Sequence, residues 1–445
     1  MATQKLQVTP LDGSLDARVE TIRQREIALS RMVMLYIGTG LLFMLLPGTF
    51  LGVWNLISIS GKHAANSISP AWMQAHGQAQ VFGWVGTFIL GIGFYSIPKI
   101  RRAQAFAMWE AWICWAMWTF GVLSRWVATV YDWHWRVALP VSAAFQLLAF
   151  ALFFKTVASH RPAAKGEERP KLDRWILVVI AGTIGLLATL TANLIGSVEA
   201  ALHSSSPAFA AAFNQRFLVL MTWGFMVPFV WGFSARWLST FVGLSTVCDR
   251  GLMLMVAVNT AGVLAAMFSF TRAAVVLFLV ACVMSLVAIR VIFRSRQPAK
   301  TLGVHVSFPY FVRLAYAWLI VSAALGIWAA FARYPEGIWG ASRHALTVGF
   351  VATMIFAIGS RILPAFSGMR VLYSPNLMGL SLAALNVGCF LRVTSEILAY
   401  QEIAQFAWKW LTISAVLELT AVTLFAGNLA ATFLSKPPSQ LVRLK

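Results

Sequence analysis

The amino-acid sequence predicts an all-α, polytopic membrane protein of about twelve transmembrane helices, and three observations carry that prediction. Of its 445 residues, 59% are hydrophobic and only 11% are charged, where soluble domains carry about 25% charged residues. Apolar runs near 20 residues recur from end to end, each long enough to cross about 30 Å of hydrocarbon at about 1.5 Å per residue. No ten-residue alternation of apolar and polar side chains competes with them, which argues against an outer-membrane barrel.

Charges, Pro and Gly bound the runs. The first falls at roughly 32–58, between Arg31 and Lys62, and the second at 76–98, closed by Pro98 and Lys99. The third, 105–124, lies between Arg102 and Arg125, and the fourth, 136–158, ends before His160 and Arg161. The fifth and sixth, 175–202 and 216–242, open beside Arg174 and Arg216. The seventh and eighth, 250–270 and 273–293, are divided only by the short join from Phe270 to Ala273. The ninth, 309–331, begins at Pro309; the tenth, 343–365, closes at Pro364; the eleventh, 376–400, follows Pro375; and the twelfth, 405–434, stops before Lys436.

The formal net charge of +20 raises the question of nucleic acid. The basic residues lie in short connections between apolar runs, however, where they set topology and face the lipid bilayer. No nucleic-acid partner is expected. With the amino terminus in the cytoplasm, 25 of the 35 lysines and arginines fall on the cytoplasmic side. This predicts a multi-pass protein of the bacterial inner membrane with both termini cytoplasmic. The expected organisation is a tail over 1–31, a transmembrane domain over 32–434 and a second tail over 435–445, with a solvated loop around 160–174. The first 30 residues lack a leader's cleavage site. Four scattered cysteines form neither a disulfide framework nor a metal pair. Trp54, Trp72, Trp126, Trp133, Trp135 and Trp339 gather at the outer helix ends as an interfacial belt, and the series Trp109, Trp112, Trp115, Trp118 reads as packing or lipid-facing surface.

Five of the seven histidines, His63, His134, His160, His203 and His305, belong to polar connections. The other two open helices of the same direction: His76 the second and His344 the tenth. Each precedes a closing proline, Pro98 or Pro364, by about 20 residues, which puts both imidazoles at one depth near the periplasmic face. Below His76 one helical face carries Gln80, Gly83, Thr87 and Gly91, small enough for a flat group to lie against the backbone. Two facing histidines, a cleft and nearby cations for propionates would suit a bis-imidazole haem, and Arg333 and Arg343 are placed for the last role. The alternative is that both histidines cap helices in the headgroup region.

These two segments also carry a family resemblance. The stretch SRHALTVGFVATMIFAIGSRILPAFSG around His344 resembles the most characteristic part of the NnrS family, twelve-helix bacterial membrane proteins linked to the nitric oxide response and described as binding haem and copper. The segment AHGQAQVFGWVGTFILGIGFYSIPK resembles the second helix of that family, and that of subunit I of haem–copper oxidases, particularly of the cbb type, where this histidine ligates the low-spin haem. The resemblance implies a haem b held by His76 and His344 in an oxidase-like bundle. It departs from the family's usual His-x-His-Glu-Met at the second helix, where Gln74, His76 and Gln78 occupy the pattern and one potential metal ligand and one carboxylate are lost, and at Arg313, where His is frequent. A copper dependent on those ligands is therefore doubtful, and the sixth to eighth helices hold no histidine for an oxidase-type copper.

Carboxylates in or beside the runs, Glu110, Glu199, Glu396 and Glu418, are costly in hydrocarbon and are candidates for function. Glu418 is expected to hydrogen-bond to Asn193, Asn259 or Asn386. Three functions follow: a haem protein of nitric oxide metabolism, for electron transfer or nitric oxide binding; a transporter with a path lined by Glu110, Glu418 and Arg313; and a cytochrome subunit of a respiratory complex with an electron-transfer partner.

Overall fold

A computed structural model of the chain describes residues 13–100, 106–159, 173–369 and 371–435. Twelve helices are long and apolar enough to cross a membrane: α1 Glu20–Lys62, α2 Pro70–Ile100, α3 Met108–Tyr131, α4 Trp135–Ala158, α5 Arg174–His203, α6 Ala211–Phe241, α7 Asp249–Met267, α8 Thr271–Ala288, α9 Phe308–Phe331, α10 Ile338–Ser367, α11 Pro375–Tyr400 and α12 Ala407–Leu434. Among the described residues there is no strand. The division between α7 and α8 is real: a tight turn with Ser269 in the left-handed region (φ 67°) separates them.

Two boundaries differ from the sequence reading. Helical structure begins at Gly13, so most of the stretch expected as a tail continues the first helix. The third helix runs past Arg125 to Tyr131, so a charge that the sequence reading places at a helix end lies inside it. The loop over 160–172 and the tail over 436–445 lie outside the described residues.

Consecutive helices pack side by side, and α12 returns to α1, closing the bundle. In their most apolar stretches α2 and α6 are 67% buried and α10 61%, against 33% for α5 and α7. The helices α2, α6 and α10, four apart in sequence, are thus inner helices with protein on most sides.

All three share a local feature. A π-helical segment interrupts α2 at Ala79–Gly86, α6 at Leu220–Met226 and α10 at Ala345–Ala352, and α1 has one at Met44–Phe50. A π-turn holds about one residue more than an α-turn and leaves its backbone groups less tightly paired. Thr87 and Thr353, the first residues after the segments of α2 and α10, donate their hydroxyls five residues back, to Phe82 O (3.4 Å) and Val348 O (3.3 Å). In α1 and α6 a proline, Pro47 or Pro228, removes an N–H from the ladder at or beside the segment.

Candidate functional site

His76 and His344 are each the seventh residue of their helix, and each lies just before the π-helical segment of that helix. His76 Nδ1 lies 2.9 Å from Gly48 O on α1, and His344 Nδ1 lies 3.0 Å from Gly340 O one turn back. A carbonyl oxygen only accepts, so Nδ1 carries the proton in both rings and the Nε2 lone pair remains free. This is the arrangement by which proteins orient a metal-ligating imidazole. The π-segment of α1 presents the Gly48 carbonyl, while Gly52, one turn on, clears room for the ring. A Cβ at Gly52 would stand 2.6 Å from His76 Cε1.

On its α11 side His344 meets a charged pair. Arg392 Nη2 is 3.4 Å from Glu396 Oε2, which is 3.6 Å from His344 Nδ1. Gly340 makes space for the Glu396 carboxylate, which a Cβ there would meet. Arg343 is also electrostatically coupled to Glu396. Three buried polar atoms of this cluster have no hydrogen-bond partner: Arg392 Nη1, Glu396 Oε2 and Glu418 Oε1. The His344 side chain keeps 27% exposure, although Ala341, Ala345 and Leu346 around it are buried. Further along, α2 and α10 meet where Trp84 stands edge-on to Phe356 at 6.0 Å and Phe356 stacks on Phe425 at 3.9 Å.

These observations fit a bis-imidazole haem. In each ring Nδ1 is held by a carbonyl and Nε2 is left for a metal, and the unpartnered Nη1 of Arg392 is suited to a propionate.

The remaining candidates are distributed differently. Gly83 backs onto Phe43 of α1, where a Cβ would come within 2.8 Å of Phe43 Cβ. The Thr87 hydroxyl is 3.1 Å from Trp118 Nε1, whose N–H it accepts. Both are occupied by helix packing: Gly83 on the α1 side, where His76 and Gln80 also lie, and Thr87 on the side of α3. Arg343 is beside the cluster, whereas Arg333 is exposed and lies over the Tyr334 ring. Glu418 is bonded to none of the three asparagines: Asn193 is engaged by Gln146, Asn259 by Trp223 O, and Asn386 by Trp318 and Thr353. Glu110 lies in the first turn of α3, and Arg313 is tied to Phe293 O and Ser295 Oγ. Of the three residues of the transport path, only Glu418 therefore reaches the histidine region, through its coupling to Arg392 and Glu396. Among the other histidines, His63 stacks on Trp408 at 5.2 Å, His203 faces Glu199 at 4.0 Å and His305 bonds Ser307. His160 lies outside the described residues. Among the described residues no group of three or more His, Cys, Asp or Glu is arranged to hold a metal ion.

Sequence reasoning missed Arg392, Gly48, Gly52 and Gly340. Arg392 and Glu396 carry a readable signal: two opposite charges four residues apart on one face of an otherwise apolar helix. The glycines carry none.

This geometry defines an all-helical membrane bundle, and the comparisons agree with the fold. The solved structure of a heme-copper terminal oxidase dimer is similar to this chain with a TM-score of 0.57 and 14% identity, over 92% of this chain and 85% of that one. Residues 237–432 match a family described as a domain of unknown function (DUF8744). No curated protein matches the chain.

Proposed function

We propose that this protein is a haem-binding integral membrane protein of NnrS type, with a bis-His low-spin haem b between α2 and α10, serving electron transfer or nitric oxide binding in nitric oxide metabolism. The observation that carries the reading is the matched state of the two imidazoles, each with Nδ1–H held by a backbone carbonyl and Nε2 free. The oxidase-like fold and the resemblance of the His344 segment to the NnrS family support it. A haem bound there would supply one-electron chemistry. The chain's own residues do the rest. Gly48 and Gly340 hold the ring tautomers, Arg392 and Arg343 offer positive charge to propionates, and Glu396 balances those cations.

The visible absorption spectrum of the detergent-purified protein, oxidised and reduced, tests the proposal. Paired low-spin bands with extractable haem b are expected. A colourless preparation from haem-replete cells, with no haem by pyridine extraction, would overturn it. A colourless protein is what the transporter reading requires.

A further inference from the structure

Arg125 is 3% exposed in the interior of α3, and its surroundings are unusual for a cation. Its Nη1 donates to Ser197 Oγ on α5 at 2.6 Å, and the guanidinium lies over the Phe209 ring at 4.7 Å. Among the described residues it has no carboxylate partner and makes no other hydrogen bond. A guanidinium keeps its proton in proteins, and a charge buried in hydrocarbon without a counter-charge is costly. The rest of its hydrogen-bonding capacity faces a small cavity.

That cavity, of about 10 Å³, lies between α2, α3 and α4, with Phe82, Val122 and Trp126 as apolar walls and Gln78, Arg125 and Gln146 as its polar lining. Gln78 is 7% exposed and its Oε1 has no partner. An amide can be turned end for end, because its oxygen and nitrogen are assigned from the bonding network. Turned, Gln78 directs an NH2 where the unpartnered oxygen stands. Gln146 uses its Oε1 to accept from Asn193 Nδ2 at 3.2 Å, so the amide group left over is again a donor. One cation and two side-chain amides thus border a space with room for one small body. Water would satisfy the donors but leave the charge uncompensated.

We propose that the Arg125 cavity binds one small monovalent inorganic anion of the halide class within the membrane. The site lies on the side of α2 that carries Ala75 and Ala79, and its argument does not use the haem.

The test measures unfolding temperature of the full-length purified protein in potassium chloride against potassium gluconate, whose anion is too large to enter. A saturable rise in chloride is expected for the native chain, reduced in Arg125→Lys and lost in Arg125→Gln. Equal stability in the two salts, or the same chloride response in Arg125→Gln, would overturn the proposal. Should Arg125→Gln fail to fold, crystals of the native protein grown in bromide decide the matter. An anomalous peak beside Arg125 supports the site, and density for water alone refutes it.

Discussion

Gly52→Ala is the smallest change that reaches His76. The added methyl would stand 2.6 Å from Cε1, 2.7 Å from Nδ1 and 3.2 Å from Nε2 of the imidazole, where carbon contacts settle at about 3.5–4.0 Å. The ring must therefore retreat by roughly 1 Å. It cannot do so while keeping its 2.9 Å bond to Gly48 O, since Gly48 lies one turn earlier on the same helix. Loss of that bond costs about 1 kcal/mol, and the overpacking about 1–3 kcal/mol more. Gly61, also on α1, is the control: a Cβ there meets nothing within 4 Å, so Gly61→Ala is expected to be neutral or to stabilise by up to about 1 kcal/mol through helix propensity. Unfolding in detergent measures the stability difference, and the absorption spectrum measures the state of the ring. Gly52→Ala should unfold at a lower temperature than Gly61→Ala and weaken or shift the low-spin bands. If the two variants match in both measurements, the placement of His76 against α1 is refuted.

His76→Ala and His344→Ala are each expected to abolish the low-spin spectrum, while His134→Ala and His203→Ala leave it unchanged; haem lost in either of the latter pair but kept in His76→Ala would reverse the assignment. Glu396→Ala strands Arg392 and Arg343 beside the histidines and should cost about 3–5 kcal/mol of stability, whereas the double change Arg392→Met with Glu396→Met should cost less; equal costs in unfolding experiments would show that the two residues are not a pair. Reporter fusions after Lys445 and within the loop at Lys165 should report the cytoplasm, and periplasmic activity at either would invert the topology. Purified protein with a reductant should show no steady oxygen consumption, because His76 and His344 are the only histidines of the helix interiors and a second imidazole-bound metal lacks ligands; consumption abolished by a copper chelator would reveal a second metal centre.

The number, order and approximate limits of the helices were legible in the sequence because hydrocarbon imposes one requirement on every crossing: about 20 apolar residues with all backbone groups bonded internally. His76 and His344 were legible for the same reason, since equal distances to Pro98 and Pro364 along two helices of one direction translate into equal depth. Arg125 shows the limit of that reasoning. A charge within an apolar run marks an end if it faces lipid, but a helix can carry it across when a serine and an aromatic ring from α5 and the loop after it receive it.

Which face each helix turns to its neighbours was decided only by the tertiary structure. Gly83 keeps to the α1 side that His76 shares and is filled there by Phe43, whereas Thr87, which follows the π-helical segment at Ala79–Gly86, meets Trp118 of α3. The recurrence of such segments in α2, α6 and α10 left no repeat that the sequence reading detected, because backbone geometry is set by Thr87 and Thr353 in two cases and by Pro228 in the third. The hydrogen-bond partners of the imidazoles are backbone carbonyls of Gly48 and Gly340, groups that every residue possesses. Sequence therefore determined the twelve-helix bundle and singled out two histidines, each seventh in its helix. Packing alone decided that glycines clear their space, that Arg392 and Glu396 stand beside them, and that each ring keeps one nitrogen free, since these depend on where helices distant in the chain come to lie.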